Sequence, residues 1–289
     1  MRIVCTLFVL SWLAGTVQAQ QVGDVIMPRV NAKFMVGKTE VPAAEFEFPL
    51  TVRKIEGNWL LVGKGWIQRN NVVPLAQAPA HYTEFLKRNR NQSTPYNLRG
   101  IAWNAAGDHD KAIADFSEAI RLAPADALQF RNRGNCWTAK GDHASAIKDY
   151  SEAIRLNPRD AISYYNRGLA WYAGKDWQKS IEDCRKAIEL DANYPLPCNH
   201  LAWLLATCPD PRFRDGAQAV EQGTRACELS QWANSGWIGT LALASAEAGD
   251  FEQAIKWLNR AIELDPDSHQ KIRQEMLALF QQGKPWHQQ

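Results

Sequence analysis

Two hydrophobic patterns follow one another along the chain, and the change between them falls near residue 76. Between residues 22 and 75, apolar residues form short runs that Gly, Asn and Pro interrupt, which is typical of strands joined by tight turns. From residue 81 onward, apolar residues recur with the spacing of amphipathic helices. The pattern predicts a small β domain followed by a longer helical region.

The β region is predicted to contain five strands and two hairpins. Glycine in segments 56–58 and 63–65 favours a tight reversal of the chain at both places. The strands are predicted at 24–27, 34–36, 50–55, 59–62 and 66–67. Short strands with tight turns over about fifty residues favour a small barrel.

The helical region repeats itself with a fixed period. Gly100, Gly134 and Gly168 are 34 residues apart, and a tryptophan follows each of them three positions later. Because of this recurrence, Trp137 is expected at the centre of the helical core. The second half of the first two units keeps the same order of alanine, aromatic residue, alanine and proline. These positions are Ala112, Phe116, Ala119 and Pro124 in one unit and Ala146, Tyr150, Ala153 and Pro158 in the next. Such a period predicts a stack of similar supersecondary units.

Each unit is predicted to be a pair of antiparallel helices, A and B. Gly107 and Gly141 are suited to end helix A in a left-handed conformation. Pro124 and Pro158 end helix B, because the residue before a proline avoids the helical conformation. One pair cannot bury its apolar face alone, so the units stack into a solenoid. These residues closely resemble the tetratricopeptide repeat (TPR), and the resemblance implies a TPR α-solenoid.

The period continues less regularly toward the end of the sequence. Ala202 and Trp203 resemble the first half of a fourth repeat, with an inserted segment at 208–214 before its helix B. A fifth repeat runs from about residue 235 to 266. A last helix is predicted to cap the apolar end of the solenoid. Its apolar face carries Ile272, Met276, Leu279 and Phe280.

The first residues resemble a signal peptide. One positive charge precedes a short apolar run, and the small residues Val17 and Ala19 favour cleavage after Ala19. An uncleaved membrane anchor is the alternative. No later apolar segment approaches the length of a membrane span. The protein is therefore predicted to be periplasmic or secreted, with no stable membrane span after cleavage.

These patterns divide the sequence into five parts. They are a signal peptide at 1–19, the β domain at 20–76, a linker and leading helix at 77–94, the TPR solenoid at 95–268, and a C-terminal capping helix and tail at 269–289. The leading helix carries Tyr82, Phe85 and Leu86 on one side and is expected to cover the first repeat. The predicted fold class is mainly α: about five TPR repeats and a capping helix after a small β-barrel.

The end of the β region resembles the closing strands of bacterial SH3-like barrels over segments 57–60 and 65–75. Many members of that family bind proline-rich peptides in an aromatic groove. Gln68 and Asn71 stand at the positions that resemble the groove's proline and tyrosine, which leaves Trp59 as the remaining aromatic candidate. We therefore expect another ligand or none for this domain. Trp59 and Trp66 are expected to pack inside the barrel.

The sequence carries no recognisable catalytic motif. His109 and His143 recur with the period beside Gly-Asp turns, and Asp115 and Asp149 recur on what we expect to be the exposed side of helix B. Periodic recurrence favours a structural role, because an active site would not be built identically in every repeat. The formal charge of +2 includes no polybasic stretch, so nucleic acid is not an expected partner. We predict no cofactor and no enzymatic activity.

Five cysteines follow the predicted cleavage site, an odd number for a chain that reaches an oxidising compartment. Buried thiols that act as small apolar groups are one interpretation. A bridge between Cys198 and Cys227 is the alternative, since these residues are level in the predicted fourth hairpin, whereas Cys208 is too distant from Cys227. Cys198, His200 and Cys208 do not match a common zinc spacing, and no metal is predicted.

The TPR resemblance implies that partners bind the concave surface lined by the A helices. The corresponding positions are Asn97, Ile101, Asn104, Arg131, Asn135, Thr138, Tyr165, Leu169, Tyr172, Leu201, Leu204 and Leu205. Some TPR proteins hold a C-terminal carboxylate with basic and amide side chains. Arg131, Asn135 and Asn166 resemble part of that clamp, but its other basic residues are missing.

The sequence thus predicts a bacterial, non-catalytic adaptor that binds protein or peptide through the concave TPR surface. One alternative is a cell-envelope module whose β domain recognises peptidoglycan. An enzyme with a site near the inserted loop is the third possibility.

Overall fold

The computed structural model describes residues 21–42, 46–268 and 270–288. The predicted signal peptide lies outside these residues. The chain divides into two compact units between Asp115 and Phe116. Across the described residues, every helix is too short or too polar to traverse a bilayer.

The N-terminal unit begins with a seven-stranded antiparallel sheet in the order β3-β2-β6-β5-β4-β1-β7. The strands are β1 (Val25–Pro28), β2 (Phe34–Val36), β3 (Thr39–Val41), β4 (Leu50–Glu56), β5 (Trp59–Val62), β6 (Gly65–Gln68) and β7 (Val72–Pro74). The two predicted hairpins are confirmed, since Glu56 pairs with Trp59 and Val62 pairs with Gly65. β3 and β7 were not predicted from the sequence. The SH3-like resemblance stays a prediction.

The sheet buries one apolar cluster, in which Ile26, Phe34, Leu60 and Ile67 are fully inaccessible. Trp59 and Trp66 lie outside this cluster and stay partly exposed, which corrects the expectation that they pack inside the barrel.

Twelve helices follow in the described part of the chain. They are α1 (Ala78–Leu86), α2 (Ser93–Ala105), α3 (His109–Leu122), α4 (Ala127–Ala139), α5 (His143–Leu156), α6 (Ala161–Ala173), α7 (Trp177–Leu190), α8 (Pro195–Thr207), α9 (Gly216–Leu229), α10 (Ser235–Glu247), α11 (Phe251–Leu264) and α12 (Gln270–Gln281). Helices α4 to α11 pack as four successive A–B pairs, α12 packs on α11, and Arg99 on α2 binds Asp115 on α3. The predicted solenoid of five repeats with a capping helix is confirmed.

The leading helix α1 connects the sheet to the first repeat. Tyr82 is fully buried, and its hydroxyl donates a hydrogen bond to the carbonyl of Pro28 at the end of β1. The same apolar cluster contains Met27 from the sheet and Leu98 from α2. The prediction that this helix covers the first repeat is therefore confirmed, and it covers the sheet as well.

In repeats one, two and five, a Gly-Asp turn ends the A helix and begins the B helix. Gly107 and Gly141 have φ of +81° and +78°, the left-handed conformation expected of a C-terminal glycine. The aspartate that follows caps the next helix: the Asp142 carboxylate accepts a hydrogen bond from the backbone N–H of Ser145. Asp250 caps α11 in the same way.

The recurring aspartates are buried, which corrects their expected exposure. Asp149 is 4% exposed and accepts two hydrogen bonds from Arg133, at 2.8 and 2.7 Å. Arg133 also donates to the Ser117 hydroxyl of the preceding repeat at 3.0 Å. The same arrangement recurs as Arg99 with Asp115 and Thr83, and as Arg167 with Asp183 and Ser151. We call these three sets the arginine ladder.

The arginine ladder is structural, as periodicity predicted. Hydrogen bonds to Asp115 raise the pKa of Arg99, which keeps the guanidinium charged, while burial raises the pKa of Asp115 against the opposing effect of Arg99. A lone buried carboxylate would be strongly unfavourable, so the arginine on helix A fixes the position of helix B.

Three further expectations are corrected or decided by burial. The repeated tryptophans are half-buried rather than central, and Lys111 lies 4.4 Å from the ring centroid of Trp103. Ile272 of the capping helix is 42% exposed, although Phe280 is 1% exposed. No disulfide joins the five cysteines among the described residues, and all five are buried, which favours small apolar groups over a bridge.

Candidate functional site

The A helices of the C-terminal unit present a common face, formed by α4, α6, α8 and α10. At its α4–α6 end the predicted site residues bind one another. The Asn135 side-chain oxygen accepts hydrogen bonds from the Tyr150 hydroxyl at 2.8 Å and from the Asn166 amide at 3.0 Å. Thr138 lies 3.1 Å from the same hydroxyl. This end is an internally satisfied polar network.

Arg131 also has an internal partner. Its guanidinium lies 3.1 Å from both carboxylate oxygens of Asp160, which precedes α6, and both side chains are mostly buried. A carboxylate clamp would need this arginine to be available to a ligand. Arg131 is the basic residue that resembles part of the carboxylate clamp, and its pairing with Asp160 makes it unavailable to a ligand carboxylate.

The N-terminal unit holds three of the predicted residues, Asn97, Ile101 and Asn104, which are half-buried on α2. The Asn104 side-chain oxygen lies 2.9 Å from the Nδ1 atom of His109. This contact gives His109 a structural role at the A–B turn.

The fourth repeat departs from the predicted register. Leu201, Leu204 and Leu205 are 2%, 0% and 3% exposed and lie in the largest apolar cluster, so no partner can reach them. Helix α8 is apolar nearly all round because it packs against α7, α9 and α10. The residues of α8 that remain at least partly exposed are Pro195, Leu196, Asn199 and Trp203.

A cavity of about 500 Å³ opens between the A helices of repeats three, four and five. It is lined by Leu169, Tyr172, Asn199, His200, Trp203, Asn234, Gly236, Trp237 and Thr240. Leu169 and Tyr172 are predicted site residues, and Tyr165 lies near the cavity through its ring contact with His200, at a centroid distance of 6.3 Å. The other lining residues were not predicted.

Aromatic rings form one wall of the cavity. The ring centroid of Tyr172 lies 5.1 Å from that of Trp203 and 5.4 Å from that of His200. Burial lowers the pKa of His200 to about 4, so the imidazole is neutral at physiological pH. Since no lining residue carries a charge, the cavity suits an uncharged, apolar or aromatic side chain.

Two asparagines supply polar groups. The Asn234 side-chain oxygen caps α10 by accepting a hydrogen bond from the N–H of Trp237 at 3.1 Å. The Asn199 side-chain oxygen is buried and has no hydrogen-bond partner among the described residues. A buried acceptor without a partner is unfavourable, and a ligand N–H would satisfy it.

His200 and the five cysteines of the C-terminal unit are buried. Within the described ranges, no three His, Cys, Asp or Glu side chains are grouped closely enough to hold an ion. His200 contacts aromatic rings and the Ser180 hydroxyl, whose oxygen lies 3.5 Å from Nε2. Burial raises the pKa of the cysteine thiols, to about 12 for Cys136 and Cys227, so these thiols are poor nucleophiles.

The sequence contained one usable signal for the unpredicted residues. With Ala202 and Trp203 aligned to the first repeat, His200 takes the place of the recurring glycine. A bulky residue at the closest point between two helices forces them into a different packing, so the register of the earlier repeats does not carry over.

Comparisons with known proteins agree with this architecture. Two models of the tetratricopeptide repeat match the chain, one over residues 75–127 and 139–195 and the other over residues 239–268. None of the curated proteins matches the chain.

Similar solved structures include YrrB, described as a TPR protein with an unusual peptide-binding site. It is 18% identical, with 67% of this chain and 97% of YrrB covered and a TM-score of 0.55. MamA is 20% identical over 59% of this chain and 96% of its own, with a TM-score of 0.52. PilW, described as a type IV pilus biogenesis factor, is 15% identical over 68% of this chain and 90% of its own, with a TM-score of 0.58. At these identities the likeness shows the fold alone: the helical region of this chain is an α-solenoid of tetratricopeptide repeats, preceded by a seven-stranded antiparallel sheet.

Proposed function

We propose that this protein is a non-catalytic adaptor that binds a peptide segment of a partner protein in the cavity between repeats three and five. The observation that carries the proposal is the combination of an aromatic wall with one orphaned acceptor. The wall would hold an apolar side chain, and the Asn199 oxygen would accept a hydrogen bond from the peptide backbone.

The proposed site lies at the apolar end of the A-helix face, away from the polar residues of α4 that the sequence predicted. The polar end is occupied by its own hydrogen bonds, whereas the apolar end presents rings that are not fully covered. The known binding of peptides by a protein with this fold, YrrB, supports a ligand of this class. A carboxylate-terminated ligand is not part of the proposal, because no basic residue lines the cavity.

Selection from a random peptide library displayed on phage tests the proposal. We expect enriched peptides to share an aromatic or aliphatic residue and to bind the purified full chain. Trp203→Ala and Asn199→Leu should each weaken this binding at least tenfold, since they remove the wall and the acceptor. Trp171→Ala is the matched control, because Trp171 is a half-buried tryptophan outside the cavity.

Circular dichroism and thermal unfolding must show that the variants remain folded. Failure to enrich any peptide, or equal binding by the Trp203→Ala and Trp171→Ala chains, would contradict the proposed site. Export to the periplasm or the medium is proposed from the sequence of residues 1–19, and N-terminal sequencing of the recovered protein tests it.

A further inference from the structure

The last described residues return toward the candidate site. Gly283 has φ of +67°, and its N–H donates to the Phe280 carbonyl while the N–H of Lys284 donates to the Leu279 carbonyl, both at 3.0 Å. This pair of hydrogen bonds is a Schellman motif, which ends α12 and reverses the chain. Pro285 follows and prevents the helix from resuming. We call residues 284–288 the strap.

The strap runs past the C-terminal ends of three A helices in reverse order. His287 Nε2 lies 2.6 Å from the carboxylate of Glu247, the last residue of α10. The backbone N–H of Gln288 donates to the carbonyl of Thr207, the last residue of α8, at 3.0 Å. Finally, the hydroxyl of Tyr172 on α6 donates to the Gln288 side-chain oxygen at 2.7 Å.

Side-chain contacts make the docking specific. The Gln288 amide donates to the Thr207 hydroxyl at 2.6 Å, so this one side chain is held at both its oxygen and its nitrogen. Trp286 packs against the largest apolar cluster of the C-terminal unit. Arg214 from the inserted loop lies 3.1 Å from the second oxygen of Glu247 and helps to position that carboxylate.

The strap nevertheless has the features of a ligand rather than of a core element. It contains no helix or strand, and residues 285–288 are only half-buried. Its single backbone hydrogen bond to the A helices is that of Gln288 with Thr207. Segments with few buried contacts open at low free-energy cost compared with global unfolding. One of its contacts is Tyr172, which lines the cavity.

We propose that the strap is a ligand in cis, which occupies the rim of the peptide-binding cavity and must leave before a partner peptide can bind across it. This inference rests on the proposed function for its regulatory meaning, but the docking of the strap can be tested alone. The partner segment should resemble the strap in chemistry, with an aromatic side chain followed closely by an amide side chain.

The test uses a fluorescent peptide of residues 283–289 and two proteins, the full chain and a chain truncated after Gln282. The peptide should bind the truncated chain, and Trp286→Ala within the peptide should weaken binding at least tenfold. Lys284→Ala is the matched control, because the Lys284 side chain is exposed and its ammonium donates to the Gln282 side chain outside the peptide, so it should change affinity less than about twofold.

The full chain should bind the peptide about tenfold more weakly than the truncated chain. A tethered segment competes at an effective concentration of about 1 mM, so a peptide dissociation constant on the order of 100 μM gives this factor. A full chain carrying Trp286→Ala and Gln288→Ala is the second variant, for use if truncation prevents folding, and it should bind the peptide as the truncated chain does.

Several outcomes would overturn the proposal. They are absence of peptide binding to a folded truncated or doubly substituted chain, equal binding to the full chain, and a dimer of the full chain that disappears on truncation. The dimer would mean that the strap is exchanged between copies. If the strap peptide binds but no library peptide does, the strap proposal survives and the proposed function fails. If library peptides bind the full chain and the truncated chain equally, the proposed function survives and the strap proposal fails.

Discussion

His200 illustrates how one residue can decide the geometry of a repeat and carry a measurable signature. It occupies a position at which earlier repeats have glycine, and its ring is enclosed by Tyr165, Tyr172 and Trp203. In the unfolded chain this side chain titrates near 6.5, and in the folded chain burial lowers its pKa to about 4.

The first prediction follows from that difference in pKa. Between pH 6.5 and 4 the unfolded state binds a proton that the folded state does not, so the free energy of unfolding falls with acidification. The loss reaches about 3 kcal/mol below pH 4. His200→Phe should remove this part of the pH dependence in urea unfolding. A ring-proton titration of His200 with a midpoint near 6.5 would contradict the burial.

Gly134 is a residue at which even a methyl group is excluded. A Cβ atom there would lie 2.7 Å from the ring of Tyr150, which is 1% exposed and cannot yield. Gly134→Ala is therefore expected to destabilise the protein by about 1–3 kcal/mol. Gly239→Ala on α10 is the matched control, because nothing lies within 4 Å of that position, and it should stabilise by up to about 1 kcal/mol. Urea unfolding in which both variants shift equally would disprove the close approach.

At the scale of elements, the arginine ladder joins helix A to helix B and to the preceding repeat. Arg133→Met leaves the Asp149 carboxylate buried without its partner, so we expect a loss of about 3–5 kcal/mol in unfolding free energy. Arg155→Met is the control: it removes a solvent-exposed pair with Glu152 and should leave the free energy of unfolding nearly unchanged.

A double variant separates charge burial from packing. Adding Asp149→Leu to Arg133→Met should restore most of the lost stability, because no unpaired charge then remains in the interior. Unfolding curves of the double variant that match those of Arg133→Met alone would mean that the ladder acts through side-chain packing instead.

The elements themselves were readable from the sequence wherever a local rule applied. In repeats one, two and five, the glycine at the A–B turn, the aspartate that follows it and the proline after helix B are all signals within one repeat. Burial of Asp115 and Asp149 was not readable, because a carboxylate looks solvent-exposed until its arginine, 16 residues earlier, is placed beside it. The cavity escaped prediction because the bulk of His200 changed the packing of α8 against its neighbours.

At the scale of the whole molecule, the order of sheet, leading helix, repeats and capping helix was predictable from the change in hydrophobic period. The position of the strap was not. Its contacts join pairs of residues that are separated by 81 and 116 positions in the sequence, and no periodic pattern predicts such a pairing.

Export is a property of the whole chain and remains a prediction from the sequence. Protein recovered from its native cells should begin at Gln20, as read by N-terminal sequencing, because small residues precede that bond. Ala19→Trp should leave the precursor uncleaved, whereas Gln18→Trp changes a position that the pattern does not constrain. Recovery of mature protein that still begins at residue 1 would contradict the prediction.

The arginine ladder finally has a consequence for how such a chain can change its length. The rungs of Arg133 and Arg167 each take their hydroxyl from the repeat before and their carboxylate from their own repeat. If residues 127–160 were duplicated in tandem, the new Arg133 would meet the hydroxyl of Ser151 in the original copy, as Arg167 does now. Every ladder bond would be satisfied without another substitution, so a single duplication could lengthen this solenoid by one complete repeat.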